Sequence, residues 1–215
     1  MSEKIFETIT NLRLRTLAQR GTIRNYRKGS ILIEEGDLGN TLYIVLKGRL
    51  KAYSNNHHAN DREITFGVYG VGDLVGEMSL DDGPRSASVS AFEPTTCAVV
   101  TKETVRHYIA EAPDFAFDLL ARVIARARTA THSARSMALV DAYGRLTEFL
   151  ISLAVPQPDG TSLVGERLAH QEIANRIGCS REMVSRLIKD LEMGGYLDQS
   201  DRKSLRLLKN PPVRW

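Results

Sequence analysis

Cysteine is nearly missing from this chain: among 215 residues there are only Cys97 and Cys179. Two lone thiols far apart in sequence cannot build a four-cysteine iron-sulfur site or a cysteine-based zinc site. Packing inside the fold is therefore the expected role of both. Long apolar runs are missing too: none would span a bilayer, no signal-peptide pattern is present, and the cytoplasm is the expected compartment. Charge of one sign is scarce, with a net of +3. Residues 165–215 hold ten Lys and Arg against seven Asp and Glu. That balance is compatible with phosphate binding, but the placement of the arginines matters more than the sum. No nucleophile has a convergent base, no Walker loop occurs, and His107, His132 and His170 are scattered. An enzyme is not expected.

What remains is an ordinary globular composition, 42% hydrophobic and 26% charged, long enough for one large or two modest domains. Its most informative stretch is residues 170–192. Ile173, Ala174 and Ile177 mark one helical apolar face, and Val184, Leu187, Ile188 and Leu191 mark a second. Gly178 stands between them, where a helix end needs positive φ. Ser180 follows as the N-cap of the second helix. Helix, glycine turn and capped helix make a helix-turn-helix pattern. Arg181, Glu182, Ser185, Arg186 and Lys189 gather on the polar side of the second helix. The first turns of a recognition helix reach base edges, where arginine suits guanine and glutamate a cytosine amine. Lys189, one turn later, suits a phosphate. The plainer alternative is a solvated surface helix carrying a Glu182–Arg186 pair.

These residues resemble a known signature. Gln171-Glu172-Ile173-Ala174 followed by Gly178-Cys179-Ser180-Arg181-Glu182, Val184 and Arg186 is similar to the DNA-binding segment of the cyclic AMP receptor protein and fumarate-nitrate reductase regulator (Crp/Fnr) family. The resemblance implies that Arg181, Glu182 and Arg186 read bases and that Gln171 and Ser180 touch phosphates. Iron-sulfur oxygen sensors of that family carry an N-terminal cysteine cluster, which these residues lack.

Earlier in the chain, residues 3–20 read as short amphipathic helices ended by Gly21. The period then changes to two. Segments 22–26, 31–33, 41–46, 49–53 and 63–68 read as short strands punctuated by glycine, with a hairpin tip at 55–58. Such spacing indicates a compact β-roll. Next comes Gly76-Glu77 and, after a short gap, Pro84-Arg85-Ser86-Ala87. A helical turn starting near Gly76 or Glu77 would aim free N–H groups at an anion. Glu77 suits a ribose hydroxyl, and Arg85 and Ser86 suit a phosphate. The alternative on residue types alone is an internal salt bridge from Arg85 to Glu77 or Asp82. The segment resembles the phosphate-binding cassette of cyclic-nucleotide-binding domains, with a slightly shorter Glu77-to-Arg85 spacing.

After strands near 86–92 and 96–100 and a helix near 102–110, Pro113 opens a long helix. Phe117, Leu120, Ile124, Ala127, Thr131, Ala134 and Ala138 recur in steps of three and four, a heptad seam. Family members dimerise through this helix, so a symmetric homodimer is expected. The resemblance also places the family's base-contacting Thr-Ser pair at Ala130 and Thr131, so one hydroxyl is kept and one is lost. Residues 137–141 read as a hinge, with Asp141 as N-cap of a helix over 142–154. An exposed loop follows at 156–160, shorter than the one that can touch RNA polymerase in the family. Strand 163–168 precedes the helix-turn-helix. A hairpin wing carries Arg202 and Lys203 at its tip, suited to phosphates.

The expected fold is α+β: a cyclic-nucleotide-binding-like β-roll over 1–112, a dimerisation helix and hinge over 113–140, and a winged helix-turn-helix over 141–215. The expected function is a dimeric, sequence-specific transcription regulator that binds a palindromic duplex operator. The resemblance implies a cyclic nucleotide, cyclic AMP first, as allosteric effector at Gly76, Glu77, Arg85, Ser86 and Thr131. No cofactor is required and no membrane is involved. A regulator of the same fold with another effector, or none, is the alternative reading.

Overall fold

A computed structural model describes residues 3–56, 62–166, 168–200 and 204–212. The chain divides into two compact units. One comprises Met1–Ser54 with Thr65–Thr129; the other comprises Asn55–Ile64 with Ala130–Trp215.

The first unit opens with a 3-10 turn, Glu3–Thr8, and helix α1, Leu12–Gln19, whose N-cap Asn11 accepts from the Leu14 N–H. Eight strands follow, β4 and β5 running past the unit's bounds at their facing ends: β1 Thr22–Tyr26, β2 Ile31–Ile33, β3 Thr41–Lys47, β4 Leu50–Asn56, β5 Arg62–Tyr69, β6 Leu74–Val75, β7 Ser88–Ala91 and β8 Thr95–Thr101. They form two antiparallel sheets, ordered β1-β8-β3-β6 and β2-β7-β4-β5. The period of two decides what β3 packs against. Leu42, Ile44 and Leu46 join the core shared with Leu14, Leu17, Val105, Tyr108 and Phe115 on the helical side. Tyr43 and Val45 face the other way, into the roll, beside Leu50, Val75, Val89 and Cys97. Helix α2, Lys102–Glu111, and the long α3, Asp114–Leu139, as far as Thr129, complete the unit. Phe115 and Leu119 of α3 are buried in its core, whereas the seam residues Phe117, Leu120 and Ile124 are exposed.

The second unit holds α4, Ala142–Leu153, with Asp141 capping it through the Gly144 N–H as expected. β9, Ala154–Pro156, and β10, Ser162–Glu166, precede α5, His170–Ile177, and α6, Arg181–Met193. β11, Leu197–Asp198, and β12, Ser204–Leu207, form the wing. The four strands make one sheet, ordered β11-β12-β10-β9. Apolar faces of α4, α5 and α6 close on it around Leu146, Ile173, Val184, Ile188 and Leu191. The architecture is a β-roll followed by a winged helix-turn-helix.

Pro156 corrects the expected loop at 156–160. It lies in β9 opposite Ser162, at the sheet's edge, where a missing N–H leaves no ladder bond unmade. Both cysteines pack against a core, Cys97 fully buried and Cys179 only half-buried. Among the described residues no helix is long and apolar enough to cross a membrane. His57, His58, Arg202 and Lys203 lie outside the described residues.

Candidate functional site

The cassette is built by positive backbone angles. Gly76 has φ +94°, caps the short 3-10 helix Glu77–Asp81, and so lets the chain turn sharply from β6 into it. Asp82 ends the turn at φ +69°, the one left-handed residue other than glycine among those described. Asp82 is held there by an ion pair with the largely buried Lys102 and by Arg106 at 3.8 Å. The Lys102 bond holds the Asp82 carboxyl below the usual range.

Arg85 returns into this turn and is 7% exposed. Its Nη1 donates to the Gly76 carbonyl at 3.0 Å and to Ser79 Oγ at 2.8 Å. Its Nη2 donates to the Thr41 carbonyl at 2.7 Å. Two glycines make room for it: a Cβ at Gly39 would lie 2.7 Å from Nη2, and one at Gly76 would lie 2.8 Å from Nη1. Burial lowers the Arg85 pKa from its ordinary value. The internal salt bridge weighed from the sequence does not form: Asp82 pairs with Lys102, and Glu77 pairs with Arg126 of α3.

Glu77 is 3% exposed. Its Oε1 accepts from Arg126 Nη1, while its Oε2 is buried without a hydrogen-bond partner among the described residues. Arg126 also donates to the Leu74 carbonyl and stacks 4.6 Å from the centre of the Tyr69 ring. Burial raises the Tyr69 phenol above its ordinary value. One turn earlier on α3, Arg122 donates to the Gly72 carbonyl at 3.2 Å. The structure therefore brings Gly76, Glu77 and Arg85 together. Ser86 is exposed beside them, its Oγ 3.3 Å from Met78 Sδ. Thr131 is exposed on the part of α3 that belongs to the second unit.

Sequence reasoning missed Arg126, Arg122, Thr41, Ser79 and Tyr69. The signal for the arginines was present. Phe115, Leu119, Arg122 and Arg126 step by three and four along one face of α3, so the stripe that starts apolar ends in cations.

In the second unit Gly178 has φ +67°, and Ser180 caps α6 by accepting from the Met183 N–H at 3.2 Å. This cap turns the first residues of α6 outward. Arg181, Glu182, Arg186 and Lys189 are exposed, and none is in an ion pair among the described residues. The Glu182–Arg186 pair weighed from the sequence is therefore not formed. Hydrogen bonds from its own backbone N–H and from Ser180 hold the Glu182 carboxyl below the usual range. Gln171 is exposed on α5 and donates to Asn175 Oδ1 at 2.8 Å. Ser185 Oγ lies 2.8 Å from His170 Nδ1. The arrangement offers cations, an acceptor and a hydroxyl on one side of one helix, as duplex reading requires.

A β-roll with a buried arginine cassette, followed by a winged helix-turn-helix with a cationic second helix, defines a ligand-domain transcription regulator. Residues 23–112 match the cyclic nucleotide-binding domain and residues 144–211 the Crp-like helix-turn-helix domain. The chain belongs to the Crp/Fnr family of transcription regulators. It is 30% identical over 177 residues to the cAMP-activated global transcriptional regulator CRP of Pasteurella multocida, covering 79% of this chain and 82% of the relative. It is 26% identical over 197 residues to the CRP-like cAMP-activated global transcriptional regulator of Mycobacterium tuberculosis, covering 90% of this chain and 87% of the relative. Among solved structures, the c-di-GMP responsive global regulator CLP of Xanthomonas campestris superposes with a TM-score of 0.79 at 24% identity, over 92% of this chain and 99% of that one. That likeness shows the fold.

Proposed function

We propose that the protein is a homodimeric, sequence-specific regulator whose operator affinity is set by a cyclic nucleotide, cyclic AMP first, bound in the β-roll. The effector would meet Gly76, Glu77, Arg85 and Ser86, and Thr131→Ala would test the base contact that the resemblance implies. The carrying observation is the buried, unpartnered Glu77 Oε2, an acceptor that a ligand hydroxyl would satisfy. The cassette fits this ligand with one condition. Arg85 is bonded to Gly76, Ser79 and Thr41, so a cyclic phosphate must compete with those acceptors or use the Nε–H that none of the described residues accepts. The cAMP-activated relatives support the same effector class.

The working division of the chain is a sensor over 1–112, a dimer helix and hinge over 113–140, and a DNA-binding domain over 141–215. The exposed Phe117, Leu120 and Ile124 support a two-helix dimer contact. A symmetric dimer matches a palindromic operator with half-sites about one duplex turn, ~34 Å, apart. Arg181, Glu182, Ser185 and Arg186 would read bases. Gln171, Ser180, Lys189, Arg202 and Lys203 would hold phosphates. RNA polymerase is the further partner that goes with this class, and co-sedimentation on operator DNA would test it. A ligand shifts the equilibrium only by its differential affinity for the two arrangements.

The test is a thermal shift with cyclic AMP, cyclic GMP and cyclic di-GMP, followed by DNA binding with and without the stabilising ligand. Arg85→Ala should abolish the shift and the ligand-stimulated binding. Wild-type behaviour of Arg85→Ala would refute the phosphate role. No shift with any of the three ligands would favour a regulator with another effector or none.

A further inference from the structure

Ser185 stands in the middle of the polar stripe of α6, with Arg181 one turn before it and Lys189 one turn after. Its hydroxyl lies 2.8 Å from Nδ1 of His170, the first residue of α5. Both side chains are half-buried, and the bond joins α5 to α6. A serine hydroxyl carries one donor and two acceptors and rotates freely about its C–O bond. A free rotor can satisfy a donor or an acceptor on a base edge, and so distinguishes bases weakly.

The imidazole removes that freedom. When Nδ1 accepts the hydroxyl hydrogen, Ser185 presents lone pairs outward and suits an adenine or cytosine amine. When Nδ1 carries the hydrogen and donates, the serine O–H is turned outward and suits guanine or a thymine carbonyl. The first tautomer leaves Ser185 only acceptor character; the second occupies one lone pair and leaves the O–H with a single lone pair beside it, so either narrows what the free side chain offers.

We infer that His170 is a positioning residue for sequence reading, which fixes Ser185 Oγ and thereby sets the preference at one base pair of each half-site. The inference rests on the assignment of α6 to base reading made above. It differs from a phosphate role for His170, which would add affinity without sequence information. It differs also from a plain staple between α5 and α6, which would change stability and all affinities together.

The experiment selects a site for the protein, with cyclic AMP present, from a randomised duplex library. Competition against every single base-pair change of that site follows, for wild type, His170→Ala, Ser185→Ala, the double variant and His170→Asn. Loss of one neutral hydrogen bond predicts that discrimination falls about threefold to tenfold, at one and the same base pair in both single variants. The double variant should lose no more than either single one. Asn places an amide atom where Nδ1 stood and should restore part of the preference. An unchanged preference in His170→Ala would overturn the inference. So would a uniform loss over all positions and random DNA alike. Wild-type protein that enriches no site would overturn the DNA-reading assignment, and this inference with it.

Discussion

Arg126 of the long helix ion-pairs with Glu77 of the cassette, and it does so over a carboxylate that is almost wholly buried. The pair ties α3 to the turn that also holds Arg85. A change at the turn is therefore felt by the helix that carries the exposed seam. The Tyr69 ring flanks the guanidinium. Removing the cation leaves a buried charge unmatched, which is worse than removing both partners.

Arg126→Ala should accordingly destabilise the first unit by about 3 kcal/mol. Glu77→Gln, which keeps the shape and discards the charge, should cost less. Urea unfolding followed by circular dichroism measures both. Equal losses in the two variants would show that offsetting the buried carboxylate is not what Arg126 contributes.

The route to this pair explains what the sequence could and could not disclose. Caps and turns were legible because their chemistry is local. Gly178, Ser180 and Asp141 do at their own positions what their residue types favour. The strands were legible because β3 alternates between two cores. The partners of Glu77 and Arg85 were not, since Arg126 is 49 residues from Glu77 and Thr41 is 44 residues from Arg85. Nothing in local periodicity chooses among several arginines and carboxylates at such range. The family resemblance supplied the cassette's residues but not that Arg85 would lie folded onto backbone carbonyls.

Gly39 tests the slot that receives Arg85 without altering any charge. An added Cβ would lie 2.7 Å from Nη2 and 2.9 Å from Nε of Arg85. Gly39→Ala should therefore displace the guanidinium, at a cost of ~1–3 kcal/mol from overpacking, and weaken the response to a cyclic nucleotide. Isothermal titration reads the affinity. An unaltered ligand affinity in a folded Gly39→Ala protein would show that the inward position of Arg85 has no bearing on binding.

Cys97 provides a prediction with a defined sign. Burial pushes its thiol from an ordinary 9.0 up to about 12. The folded protein keeps the proton that the unfolded chain loses, so this thiol's contribution to stability is complete below pH 9.0 and is lost as pH rises toward about 12. At pH 8 a thiol reagent should modify the half-buried Cys179 slowly and Cys97 only after unfolding. Counting released chromophore before and after denaturant checks this, and two fast thiols in the native protein would contradict it.

The seam on α3 predicts the oligomeric state. Ile124 is 41% exposed in the single chain, between Leu120 and Ala127 of the same stripe. Ile124→Glu would bring two uncompensated carboxylates into a symmetric contact. A cost of about 3 kcal/mol raises the dimer dissociation constant about a hundredfold. Sedimentation equilibrium would then show monomer at concentrations where wild type is dimeric. Operator binding should fall with it, because one half-site cannot supply the affinity of two. A dimer of unchanged strength would move the interface off this seam.

Arg181 and Lys189 make two different kinds of contact available on α6. Arg181 lies in its first turn and Lys189 two turns further on, both exposed and unpaired among the described residues. A planar fork near the helix start can bond two acceptors of one guanine, whereas a lone ammonium further along meets phosphate oxygens of any sequence. Arg181→Ala should cost ~1–3 kcal/mol on the selected site and relax the preference at one base pair. Lys189→Ala should weaken specific and random duplexes alike and lower the salt slope of binding by about one. Titrations at several salt concentrations, on the selected and on a scrambled duplex, resolve the two signatures. If Arg181→Ala altered only the salt slope, the base-reading role would have to move to Glu182, Ser185 and Arg186, and the helix would enter the groove further along its length.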